Sequence, residues 1–118
     1  MKDRHEPCVI ATGLFLLSGL MIVISLPLVF RMVKMNNVYG VRIPEAFQSQ
    51  ERWFQINCFG GVLLFLWGAA MGITGAMGVS LKLGQSPRYA LIGAGVFLGG
   101  LALVIAAIYV YAAATTKP

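Results

Sequence analysis

The chain predicts an all-α integral membrane protein: three transmembrane helices, a structured loop over residues 31–56, and an interfacial helix leading into the second span. Three observations carry that prediction. Of 118 residues, 58% are hydrophobic and 11% charged, with a mean hydropathy of +0.81. Soluble domains carry roughly 25% charged residues, so this balance suits a chain in lipid. The apolar residues gather into three blocks, about 9–30, 57–79 and 89–113, and none of these contains Asp, Glu, Lys, Arg or His. Lys and Arg sit in the flanks of the blocks, where membrane proteins carry them. The formal charge of +5 therefore needs no nucleic-acid partner. Residues 1–118 are expected to form one membrane domain.

The elements follow in order. Residues 1–7 are a mixed-charge tail, expected to be mobile. Val9 to Phe30 runs without a charge, about 33 Å as a helix, which suffices to cross a bilayer. A cleaved signal peptide has a shorter apolar core of roughly 7–15 residues, and Arg31 and Lys34 follow this block as a stop, so it reads as an uncleaved span. Pro27 falls in its last turn, placed to kink the exit. Ser18 and Ser25 are expected to bond back to their own helix backbone. Asn36-Asn37 is the expected C-terminal exit, since Asn tolerates the left-handed conformation.

Gly40 marks a tight turn. Ile43, preceding Pro44, is expected to be extended, and Pro44 to open a short helical piece with Glu45 near its positive end. Ser49 is placed as a helix N-cap with Glu51 in the first turn. No helix breaker intervenes between Ser49 and the glycines of the next span, so a surface helix runs straight into the second crossing. Ser49, Trp53, Asn57 and Gly61 recur every four residues and share one helix stripe. Two readings of that stripe stand. It is an interfacial aromatic with a close-packing glycine, or it is a recognition face.

The second span, Asn57 to Val79, carries Gly68, Gly72 and Ala76 as consecutive small-xxx-small steps. Gly61 and Gly75 widen that face. Residues 80–88 are a short polar turn. The third span, Tyr89 to Ala113, carries Gly95 and Gly99, with Ala102 and Ala106 continuing the same side. In lipid such stripes mark helix contacts, because close backbone approach drives association. Tyr109 and Tyr111 read as interface anchors.

Three crossings put the termini on opposite sides. Arg31, Lys34, Arg42, Arg52 and Lys117 share one side; Lys2, Arg4, Lys82 and Arg88 share the other. The loop with four basic residues favours 31–56 and the C-terminus as cytoplasmic, with the N-terminus outside. Cys8 and Cys58 are separated by one crossing, roughly 30 Å. A disulfide needs Cα atoms within about 7 Å, so no bridge between them is expected in one chain. One His and two distant Cys make no closed zinc site.

Several functions lose support. Coupled transporters place a charge inside the membrane, and these blocks hold none. No nucleophile, base or phosphate-binding loop can be assembled, and His5 lies in the tail. No cofactor or metal and no enzymatic activity is expected. Arg42, between a turn glycine and a proline, has three readings. It bonds carbonyls near the first helix end or pairs with Glu45 or Glu51; it binds a lipid phosphate; or it meets an acidic group on a partner.

At this loop the chain resembles the SdpI family of bacterial membrane proteins. The residues that carry the resemblance are Asn36, Gly40, Arg42, Pro44, Ser49, Trp53 and Asn57, then Phe59-Gly60-Gly61. The family pattern has Thr where Ile43 stands. The founding member looks like six spans, and this chain is similar to its C-terminal half. The resemblance implies a bacterial cytoplasmic-membrane protein of immunity against a peptide toxin, or of membrane signalling. Asn36, Gly40, Arg42, Pro44, Ser49, Trp53, Asn57 and Gly61 are then the partner- or lipid-binding candidates, and Gly68, Gly72, Ala76, Gly95 and Gly99 the packing residues. A small accessory subunit of a larger membrane complex is the alternative, and a homo-oligomer stays open.

Overall fold

The computed structural model describes residues 9–82 and 86–115. Three helices follow one another there: α1 (Val9–Val29), α2 (Gln50–Ser80) and α3 (Pro87–Ala114), with a 3₁₀ turn at Pro44–Phe47. Each helix is long and apolar enough to cross a membrane. They overlap the apolar blocks 9–30, 57–79 and 89–113, and α2 begins at Gln50, where the interfacial helix is expected to start. No break separates the expected interfacial helix from the second span. At about 1.5 Å per residue α2 is some 46 Å long, so its first turns stand outside a hydrocarbon core of about 30 Å.

The ends of the helices are set by local chemistry. Ser49 caps α2, its hydroxyl accepting from the Arg52 amide at 3.0 Å. Ser86 does the same for α3, accepting from Arg88 at 3.2 Å, with Pro87 in the first turn. The exit of α1 differs from expectation. The left-handed residue is Arg31 (φ 58°), not Asn36 or Asn37. Met32 N donates to Pro27 O at 2.8 Å and Arg31 N to Leu28 O at 3.3 Å, the paired bonds that close a helix around a left-handed residue. Asn36 lies too far along to serve, and the loop uses it otherwise. Ser18 and Ser25 bond back to Phe15 O and Ile22 O, as expected.

α2 is the central helix. Its small residues form one seam against α1. A Cβ on Gly61 would stand 3.0 Å from Leu28 Cβ, one on Gly68 3.1 Å from Ile22, one on Gly72 2.9 Å from Ser18 Oγ, and one on Gly75 2.7 Å from Ala11 O. The two backbones are in contact because these side chains are missing. Ala76 is half-buried at the rim of a shallow groove beside Phe15.

The α2–α3 seam is built differently, from aromatic rings and polar tips. Trp67 Nε1 donates to Val96 O at 3.1 Å, and its ring fills the space above Gly100. Phe59 stacks on Tyr111 with centroids 4.1 Å apart. Tyr89 OH donates to Thr74 O at 2.8 Å. Tyr111 is thus a packing residue, while Tyr109 stays exposed. A Cβ on Gly95 or on Gly99 would meet nothing within 4 Å. They border an open groove of about 530 Å³ between α2 and α3, floored by Trp67.

Gly75→Val is expected to destabilise the helix pair by about 1–3 kcal/mol through overpacking. Gly95→Ala and Gly99→Ala are expected to stay within about 0.5 kcal/mol of wild type. Reversible unfolding in mixed micelles measures the difference.

Candidate functional site

The loop between α1 and α2 lies back over the helix ends and is held there by side chains from α2. Its backbone alternates. Val33, Met35, Val41 and Ile43 turn toward the core, and Met32, Lys34 and Arg42 turn away. Such a segment hides peptide groups from water, and each hidden group requires a partner. The partners are side chains of α2: Trp53 and Asn57 from the stripe, and Gln50 beside it.

Asn57, 1% exposed, brackets one residue of the loop. Its Oδ1 accepts from Val41 N at 2.5 Å, and its Nδ2 donates to Val41 O at 3.3 Å and to Trp53 O at 3.0 Å. One amide side chain thereby pairs with Val41 as a neighbouring strand would. One turn earlier, Trp53 is wholly buried and its Nε1 donates to Val33 O at 2.8 Å. Phe47 leans on the Trp53 ring at 5.4 Å. At the start of α2, Gln50 Oε1 accepts from Met35 N at 2.9 Å. Three α2 side chains therefore bind the loop at Met35, Val33 and Val41.

The loop supplies its own turns. Asn36 Oδ1 accepts from Val38 N at 2.8 Å and Tyr39 N at 2.7 Å, while Nδ2 donates to Lys34 O at 2.7 Å. Tyr39 OH reaches down to donate to Ile24 O on α1. Gly40 has φ +124°, and a Cβ there would lie 2.6 Å from Asn57 Oδ1 and 3.0 Å from the Trp53 ring. Glycine is required twice over, by conformation and by space. Ile43 is extended before Pro44, which opens the 3₁₀ turn with no side-chain cap.

Most of the candidate residues therefore meet. Gly40, Trp53 and Asn57 form the inner side of the loop, Gly61 packs on α1 instead, Asn36 shapes the loop's turn, and Ser49 is occupied as a cap. Pro44 is exposed at the turn. Arg42 is exposed and spends one nitrogen, Nη1, on Asn37 O at 2.8 Å. That carbonyl belongs to the loop itself rather than to the end of α1, and neither Glu45 nor Glu51 is its partner. Val38, 86% exposed, stands at the apex beside exposed Asn37. Cys58 is a free thiol that donates to Val29 O at 3.4 Å. Cys8 lies outside the described residues, as do the tail 1–7 and Lys117. Among the described residues no three His, Cys, Asp or Glu side chains are placed to share a metal ion.

Arg52 was not singled out by its sequence context, and it closes the assembly. Its Nη1 donates to Gln55 Oε1 at 2.9 Å and Thr115 Oγ1 at 2.8 Å, and its Nη2 to Ala112 O at 3.1 Å. The guanidinium caps the C-terminus of α3 from the first turn of α2. A signal existed: a cation in a helix's first turn opposes the macrodipole, so it needs another partner.

A family model described as the SdpI/YfhL protein family matches residues 32–115. The match begins at Met32, directly after the left-handed turn, and takes in the whole loop, α2 and α3. No curated protein and no solved structure matches the chain.

Asn57→Leu leaves both polar groups of Val41 buried without partners and is expected to cost about 2–4 kcal/mol. Hydrogen exchange should accelerate selectively in peptides covering 33–43. Gly40→Ala is expected to act in the same direction.

Proposed function

The chain belongs to the SdpI/YfhL protein family, and on that premise we propose that it works without catalysis, as an immunity or signalling protein that meets a peptide or protein partner at its 36–61 segment. The observation that supports this reading is the division of labour in that segment. Trp53, Asn57 and Gly40 face inward and hold the loop, while Asn37, Val38 and Arg42 are held outward. A loop kept in one shape loses little conformational entropy when a partner binds, so an apolar apex beside a guanidinium suits recognition. Arg42 keeps donors beyond Nη1 for a carboxylate or a peptide carbonyl.

In this reading loop 31–56 and the C-terminus face the cytoplasm of a bacterial cell and the N-terminus lies outside, following the basic residues of the loop. Arg52 fits that arrangement, since it joins the start of α2 to the end of α3 on one side. The second reading, an accessory subunit, is favoured by the open face of α3, where a Cβ on Gly95 or Gly99 would meet open space.

Purification from the source membrane into nanodiscs, followed by native mass spectrometry, tests both. The expected result is a partner that is lost from Val38→Asp/Arg42→Gln by about tenfold or more, with unchanged thermal stability. A partner retained by that variant and lost from Gly99→Leu would replace the first reading with the second.

A further inference from the structure

A second feature lies on the outer side of α1 and α2 and involves none of the residues that hold the loop. Leu26, Val29 and Phe30 on α1 and Val62 and Phe65 on α2 line a groove of about 290 Å³. Its lining is entirely apolar, and Leu26, Phe30, Val62 and Phe65 are each 38–66% exposed. The groove spans about one turn of each helix. Beside it the two helices are in contact, Cys58 Sγ donating to Val29 O and Gly61 packing against Leu28.

Directly beyond Phe30 stand Arg31 and Lys34. Both are exposed, and neither side chain has a hydrogen bond or ion pair among the described residues. Arg31 occupies the left-handed position (φ 58°) that glycine fills most comfortably. α1 has no basic residue in its last turn. The macrodipole favours a cation anywhere in that turn, yet the first one stands just outside it, directly after the lining residue Phe30. Neither this groove nor the larger one between α2 and α3 is lined by a charged residue, but here two cations follow the lining residue Phe30 in the chain.

We propose that the 26–30/62–65 groove, with Arg31 and Lys34, binds an anionic phospholipid. One acyl chain lies in the groove, and the phosphate meets the two basic side chains. Charge complementarity decides the occupant: two exposed cations without partners among the described residues, one and four positions after the lining residue Phe30, match a molecule that is anionic at one end and hydrocarbon at the other. A second copy of the chain would bring apolar helix to the groove and leave both cations unmatched.

The test uses the full chain in mild detergent, titrated with phosphatidylglycerol or phosphatidylcholine and read by native mass spectrometry. Wild type is expected to retain phosphatidylglycerol preferentially. Arg31→Gly and Lys34→Gln should each reduce that preference about fivefold. Arg31→Gly should at the same time leave thermal stability equal or higher, because glycine suits the backbone there. Leu26→Trp, with both cations intact, should displace the bound lipid. Unchanged preference in Arg31→Gly/Lys34→Gln would overturn the proposal. So would glycerol phosphate competing as well as the intact lipid, since the acyl chain would then contribute nothing. A wild-type dimer that Leu26→Trp converts to monomer would give the groove to a second copy instead.

Discussion

Asn57 holds Val41 by its N–H and its C=O at once, and the shape of the chain outside the bilayer depends on that clamp. A backbone segment laid over helix ends at a membrane surface has no strand beside it and little water below it. Its polar groups need partners from side chains. An amide carries a donor and an acceptor at the spacing of a peptide, which no hydroxyl or carboxylate does. The other holds follow from this one. Trp53 lies one turn before Asn57 and reaches Val33, and Gln50 lies three residues before Trp53 and reaches Met35. Gly40 must be glycine because the amide and the indole occupy the space where a Cβ would point.

Below the loop, α2 serves two neighbours by two different means. Toward α1 it presents missing side chains, so the backbones touch and the contact resists small changes in volume. Toward α3 it presents rings, Trp67 and Phe59, which bridge a wider gap and leave part of it open. The difference sets how each seam tolerates movement. A glycine seam has few alternative fits, while a helix leaning on two aromatic contacts can shift around them. Arg52 limits that freedom at one end by gripping the last turn of α3.

Much of this is legible in the sequence. Charge-free blocks of the right length give the three spans, and the four-residue recurrence of Ser49, Trp53, Asn57 and Gly61 places them on one stripe. What the stripe faces was not legible. Periodicity defines a side of a helix and says nothing about the neighbour, so the recognition reading stayed open beside the packing one. With three of the four buried against α1 and the loop, their direct work is structural, and any partner meets what they hold up. The same limit applies to the small residues. Gly68 and Gly95 sit in equivalent patterns, yet one faces a backbone and the other faces open space. The exit of α1 escaped because residue preference pointed to Asn36. The bilayer sets where the apolar block ends, and the turn had to follow at once, on an arginine. Tyr111 escaped for a related reason: an amphipathic ring near a helix end fits an interface belt and a stacked pair equally well.

The two tryptophans of the chain are both buried, and each donates its indole N–H to the carbonyl of a different neighbour: Trp53 to the loop at Val33, Trp67 to α3 at Val96. They divide the molecule into two optical reporters. A red shift confined to Trp53 signals that water has reached the underside of the loop, and one confined to Trp67 signals that α3 has moved off α2. Single-tryptophan forms of the protein would let the two movements be followed separately in an intact membrane, without any added label.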